Sequence, residues 1–382
     1  MIPISKPFIG EEEIARVIEV LRSGMIVQGD KVAEFERRFS AYIGSKHGIA
    51  VSNGTAALDI ALKSIGVGEG DEVITTPFTF VATSNAILFQ RSKPVFADIE
   101  EDTYNINPDD VMEKITPKTR AVVGVHIFGH PFDLRAILEI CEDHKLMLIE
   151  DCAQAHGAEY NGKKVGSFGI GCFSFYATKN MTTSEGGMIT CNYDEIVDKC
   201  RLLRSHGEVR KYEHVLLGHN MRMTNIQAAL GLVQLEKLDW MNEKRRKNAE
   251  FYEKNINVEG LRKPVEKSYA KHVYHQYVLL VEEDFPMTRD EFSKYLTENG
   301  VGNAIHYPKP VYLQPLYREI GYEKGLCPTA EYVAERVISI PVHPLLSEKE
   351  LERIVEVING CDHDIRSYWR WINGKKPCKS FN

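Results

Sequence analysis

Apolar residues recur at three- and four-residue spacing in EEEIARVIEVLRSG, from about residue 11 to 24, and again in KVAEFERRFSAYIG. Both stretches predict amphipathic helices, the first ended by Gly24. The rhythm then changes. Short β-rich runs (GIAVS, DEVITTP, KPVFAD, AVVGVHIF, LMLIED, CFSFYA, GGMITC) alternate with helical stretches (TAALDIALKSIG, TFVATSNAILFQ, DLRAILEICEDHK, DEIVDKCRLLRSHG). Strands separated by helices predict βα crossovers and a mostly parallel sheet covered on both faces.

NIQAALGLVQLEKLDWMNEKRRKNAEFYEKNI keeps helical spacing for its whole length and predicts one long helix bridging two domains. Beyond it, VYHQYVLLVEE, RDEFSKYLTENGV, NAIHYP and ELERIVEVING read as a smaller α+β unit. The expected division is a large unit over 1–250, a small unit over 251–360 and a basic, aromatic tail over 361–382. In the tail, Trp369 and Trp371 are expected to pack on the body or on a neighbouring subunit. The fold class expected is α/β, a three-layer mixed but mostly parallel sheet with a smaller C-terminal α+β domain.

A chain of 382 residues is long enough for two domains and a sizeable core. Its net charge of −7 gives no footprint for non-specific binding to nucleic acid. The eight cysteines, Cys141, Cys152, Cys172, Cys191, Cys200, Cys327, Cys361 and Cys378, form no C-x-x-C pair, so they are expected to be reduced thiols and not zinc ligands. MIPISKPFIGEEE lacks a basic region followed by an apolar one, and no run approaches about 18 apolar residues. A cytoplasmic protein, neither secreted nor inserted in a membrane, is the expectation.

In an open parallel sheet, ligands bind outside the carboxyl ends of the strands. Three such places carry candidate chemistry. Gly54 and Thr55, in SNGTAAL, stand between a strand and a helix, where unpaired N–H groups and the helix dipole favour an anion. A plain turn capped by Ser52 or Asn53 would have the same sequence. Asp151 ends LMLIED, either as an acidic helix cap or as the partner of a protonated ring nitrogen. Lys179 follows an apolar strand and precedes a Thr/Ser/Gly-rich loop, and a lysine at the mouth of such a sheet has a lowered pKa and can form a Schiff base with an aldehyde. Anion site, carboxylate and amine are together what pyridoxal phosphate (PLP) requires. A nicotinamide enzyme is the contrasting reading, but Gly66, Gly68 and Gly70 lie after a helix and before a strand, the reverse of the dinucleotide fingerprint.

With SGMIVQG, PFTFVAT, EDCAQAHGA, FSFYATKNMTTSEGGM, GHNMRMTNIQAALG, HYPKPVYLQP and SIPVHPLL added, the chain from PISKPFIGEEE to about Gly360 resembles the DegT/StrS sugar-nucleotide aminotransferases, fold-type I PLP enzymes. The resemblance implies that Lys179 binds the cofactor covalently and shuttles protons, and that Asp151 pairs with its ring nitrogen. It implies that Gly54, Thr55 and Ser174 hold the phosphate, that Phe80 stacks on the ring and that Gln154 contacts the ring hydroxyl. Asn220 would reach the phosphate in the partner subunit of a homodimer, and His306 and Tyr307 would line the nucleotide-sugar side. The implied reaction moves an amino group from an amino acid, by analogy glutamate, to a nucleotide-linked keto sugar at carbon 3 or 4. Cys152, His219 and Ser184 depart from residues common in the family (alanine, tyrosine and glycine), and none removes a group the chemistry needs. Related sugar dehydratases carry histidine where this chain has Lys179. Other PLP chemistry on the same fold, and a regulator that binds without turnover, are the remaining alternatives.

Overall fold

The computed structural model describes residues 1–374, with side chains through residue 361. The packing of Trp369 and Trp371 lies outside the described residues.

Two amphipathic helices open the chain, α1 (Glu11–Ser23) and α2 (Asp30–Ile43). Seven strands then build the central sheet: β1 (His47–Val51), β2 (Glu72–Thr75), β3 (Lys93–Phe96), β4 (Thr119–Val125), β5 (Met147–Asp151), β6 (Ile170–Ser174) and β7 (Gly187–Cys191). Their spatial order is β1-β7-β6-β5-β4-β2-β3. Only β7 runs against its neighbours, so the sheet is mixed but mostly parallel, as the alternation of patterns predicts. The strands are apolar on both sides because both faces are covered. Ala50, Ile74 and Val122 join one buried cluster, while Ile49, Val51, Val73 and Val123 join the other. Helices α3 (Gly54–Ser64) and α4 (Ala82–Phe89) follow β1 and β2.

The sheet is shorter at its carboxyl edge than the apolar runs suggest. AVVGVHIF leaves the sheet at Val125 and turns at Ile127–Gly129, where Phe128 takes a positive φ of 57°. CFSFYA leaves it at Ser174, and TFVATSNAILFQ becomes helical only at Ala82. At the first two of these places apolar residues (Ile127, Phe128 and Phe175) are buried by a turn and not by a strand or helix, which hydropathy alone cannot distinguish.

The long helix, Asn225–Asn255, begins at Thr224, whose hydroxyl accepts the Gln227 N–H while the Gln227 side chain reaches back to the Thr224 N–H. Its Leu232, Leu235, Leu238 and Met241 belong to the large core; Ala249 and Tyr252 belong to a second core with Tyr277, Leu279 and Ile338. A small antiparallel sheet, Leu261–Arg262, Tyr277–Val281 and Val337–Ile340, carries that second core. The first residues of the chain lie against it, with Ile2 bonded to Gly300 and Gly302. The last helix runs over Glu348–Gly374, past the glycine at which ELERIVEVING was expected to end.

A candidate active site at the carboxyl edge of the sheet

A cavity of about 850 Å³ opens at the carboxyl ends of the parallel strands. Gly54, Thr55, Phe80, Asp151, Gln154, Ser174, Lys179, His306 and Tyr307 all line it. Asn220 does not: it is exposed, and its backbone pairs with Ser205 away from the cavity of its own chain.

At one end, Asn53 caps α3, its Oδ1 accepting the Ala56 N–H at 2.8 Å, which settles the choice between Ser52 and Asn53. The N–H groups of Gly54 and Thr55 precede any intrahelical bond and remain for a ligand. A Cβ on Gly54 would stand 2.6 Å from Ser174 Cβ, so the glycine lets the helix start approach β6 closely. The Ser174 hydroxyl and these N–H groups thereby share one pole of the cavity.

Asp151 ends β5 and is buried. Its Oδ1 accepts the Ala153 N–H at 3.1 Å and its Oδ2 accepts the Thr83 hydroxyl at 2.8 Å. Burial raises its pKa, opposed by those two donors and by the charge of Lys179. Because Thr83 spends its proton on Asp151, the Thr79 hydroxyl, 3.1 Å from it, must donate to Thr83. No local pattern signals this relay: Thr83 lies 68 positions from Asp151, and only the parallel pairing of β2, β4 and β5 brings them together. Thr83→Val keeps the shape and removes the donor. The Asp151 pKa, read by carbon-13 NMR, should rise, and the fold should lose about 1.5–3 kcal/mol at neutral pH.

Lys179 comes from the excursion between β6 and β7. Phe175 closes that loop by bonding Gly186 and Thr183, and the Lys179 N–H returns to the Tyr176 carbonyl. Ser184, where the family commonly has glycine, holds a left-handed φ of 71°. The Thr182 hydroxyl supports it by accepting the Ser184 N–H at 2.9 Å. Burial pulls the pKa of Lys179 down to about 8, with the Asp151 charge partly offsetting it. On the far wall, Gln154 is clamped: its Oε1 accepts the Phe128 N–H at 2.6 Å and its Nε2 donates to the Tyr307 hydroxyl at 2.9 Å. His306 and Tyr307 arrive there because Ala304 pairs with Ser339 at the edge of the small sheet.

Beneath the site, one potential ligand atom each from His126, Glu150 and Cys152 lies within 4.8 Å of the others. The capacity of His126 and Glu150 is already used. Glu150 accepts N–H bonds from Gly166, Phe168 and Gly169, and His126 Nδ1 accepts that of Phe132, so His126 Nε2 donates to Glu150 at 3.2 Å. This is a buried strut that holds the end of β5.

The profile of the DegT/DnrJ/EryC1/StrS aminotransferase family matches residues 7–359. The chain belongs to this family. The spore coat polysaccharide biosynthesis protein SpsC of Bacillus subtilis is 40% identical to this family member over 94% of the chain and 98% of its own length. The dTDP-3-amino-3,6-dideoxy-alpha-D-galactopyranose transaminase of Aneurinibacillus thermoaerophilus is 38% identical, covering 91% of this chain and 95% of the relative. Among solved structures, S. venezuelae DesV in complex with a ketimine intermediate superposes with a TM-score of 0.88 at 34% identity, over 92% of this chain and 94% of that one. As a member of this family the chain is an aminotransferase of the PLP-dependent fold expected from its motifs. None of the described helices is long and apolar enough to cross a membrane, and the seven described cysteines are free and buried.

Proposed function

We propose that this aminotransferase converts the ketone of a nucleotide-linked sugar, at carbon 3 or 4, to an amine, with PLP as cofactor and glutamate as donor. The observation that carries the reading is one cavity holding an amine of lowered pKa, a buried carboxylate and a free helix N-terminus. The relative whose printed name is a dTDP-sugar transaminase supports the substrate class.

The residues fit the cofactor. The close approach of Gly54 to Ser174 makes a cradle that a side chain would fill, and its donors suit a phosphate. Gly54, Thr55 and Ser174 would hold that phosphate, the exposed ring of Phe80 would cover one face, and Gln154 would meet the ring hydroxyl. When bound, PLP supplies a ring into which the electron pair left by a departing proton can spread. Asp151, whose carboxylate form Thr83 and Ala153 favour against the burial that raises its pKa, would hold a proton on the ring nitrogen. Lys179 Nζ takes the proton from the α-carbon of the donor and later delivers one to the sugar carbon. His306 and Tyr307 line the side open to the nucleotide sugar. Asn220, exposed on its own chain, would complete the phosphate site of a partner in a homodimer.

Lys179 must be a free amine to capture the cofactor. With a pKa near about 8, that fraction grows as pH rises through this value. Capture of added PLP by the apo-protein, followed by visible absorbance, should therefore accelerate through about pH 8 and level off above it.

The decisive experiment adds glutamate to the PLP-loaded protein and then a panel of nucleotide-linked 3- and 4-keto sugars. Glutamate should bleach the visible band, and one sugar should restore it with an amino sugar detected by mass spectrometry. A band that glutamate leaves unchanged would overturn the reading.

A further inference from the structure

A chain of side-chain amides sets the state of a histidine in the cavity wall. Asn242 Nδ2 donates to the His156 carbonyl at 2.8 Å, which leaves Asn242 Oδ1 to accept from Asn180 Nδ2 at 2.8 Å. Asn180 Nδ2 also donates to the Val273 carbonyl at 3.2 Å. Both contacts require the amino group of Asn180 on that side, so its Oδ1 is what faces His275 Nδ1, 3.1 Å away. An amide oxygen only accepts. The imidazole proton must therefore sit on Nδ1, and Nε2 carries a lone pair.

That lone pair is not spent inside the protein. His275 is 5% exposed and lines the cavity, and its one ring hydrogen bond among the described residues is the contact of Nδ1 with Asn180. Burial, followed by the charges of Lys179 and Arg245 and the nearby rings of His306 and His156, holds the imidazole neutral. Lys179 precedes Asn180 in the chain and lines the same cavity. The cavity thus presents its amine with one carboxylate, Asp151, and a neutral acceptor on another wall. The neutral acceptor has a distinct use, because it can orient an amine without raising its pKa as strongly as a second carboxylate would.

We propose that His275 is a positioning residue for Lys179, its Nε2 accepting a hydrogen bond from the lysine amine and so aiming the nitrogen lone pair at the reacting carbon. This rests on Lys179 being the reactive amine of the proposed function. The amide relay through Asn180 and Asn242 is what keeps the ring in the required tautomer.

Two measurements on the full-length apo-protein test it. In protein labelled with nitrogen-15 histidine, with His275→Gln used to assign the signal, the resonances should report a neutral ring protonated at Nδ1 from about pH 5 to 8. A ring protonated at Nε2, or charged at neutral pH, overturns the proposal. In the second, the rate and pH midpoint of PLP capture are compared in wild type, His275→Phe and His275→Gln. Phe should slow capture at least about tenfold, the scale of one hydrogen bond to a charged group, and lower the midpoint, while Gln, whose amide oxygen can replace Nε2, should recover most of both. Equal behaviour of Phe and wild type overturns it. If Lys179→Ala captures PLP like wild type, the proposed function fails first; if only the His275 variants match wild type, this inference fails alone.

Discussion

Lys179→Ala should abolish the visible absorbance that PLP gives with the wild-type protein and lower turnover by at least about two to four orders of magnitude, the range for loss of a positioned proton-transfer group. The loss is expected to be this large because no other primary amine lines the cavity among the described residues. The two histidines that line the cavity, His275 and His306, are held neutral with pKa values well below that of the lysine, so they are poor substitutes as bases. Weak PLP binding should persist, since Gly54, Thr55 and Ser174 are untouched. Spectra recorded with and without glutamate check both statements. A mutant that retains the band and its response to glutamate would remove Lys179 from the mechanism, and with it the roles given to its neighbours.

Asp151→Asn should lower turnover by about two to three orders of magnitude, the scale of losing one preorganised charge at the reacting centre. The substitution preserves size and can keep one of the two hydrogen bonds from Thr83 and Ala153, so the protein should fold. It also has a second consequence of definite sign. The Asp151 charge raises the pKa of Lys179, so its removal should move the pH midpoint of PLP capture below about 8. Loss of turnover together with a lowered midpoint would tie the two residues to one site. An unchanged midpoint would mean that they do not sense each other.

Much of this was legible along the chain because it depends on short-range pattern. The seven β-rich runs became the seven strands of the central sheet, since a strand covered on both faces has to be apolar in sequence. The long helix was equally plain: 31 residues of helical spacing begin with a Thr-x-x-Gln cap. Nine of the ten candidate residues line one cavity: Gly54, Thr55, Asp151 and Lys179 stand at or after the ends of strands that share one edge, and Phe80, Gln154, Ser174, His306 and Tyr307 are the positions the family resemblance implies. Asn220 does not line this cavity.

Local pattern therefore determined the elements, their class and the candidates for the reactive groups. The tertiary structure alone decided how those groups are tuned. Thr83 meets Asp151 only because crossover connections set β2 beside β4 and β5; Gln154 meets Tyr307 only because the small sheet folds back over the large one. The tautomer of His275 depends on the side-chain amides of Asn180 and Asn242, from two separate segments. Hydrogen bonds and desolvation act over a few ångströms regardless of separation along the chain, so pKa values and orientations are properties of the packed neighbourhood. Hydrophobic periodicity, by contrast, is set by the backbone repeat of each element and can be read one segment at a time.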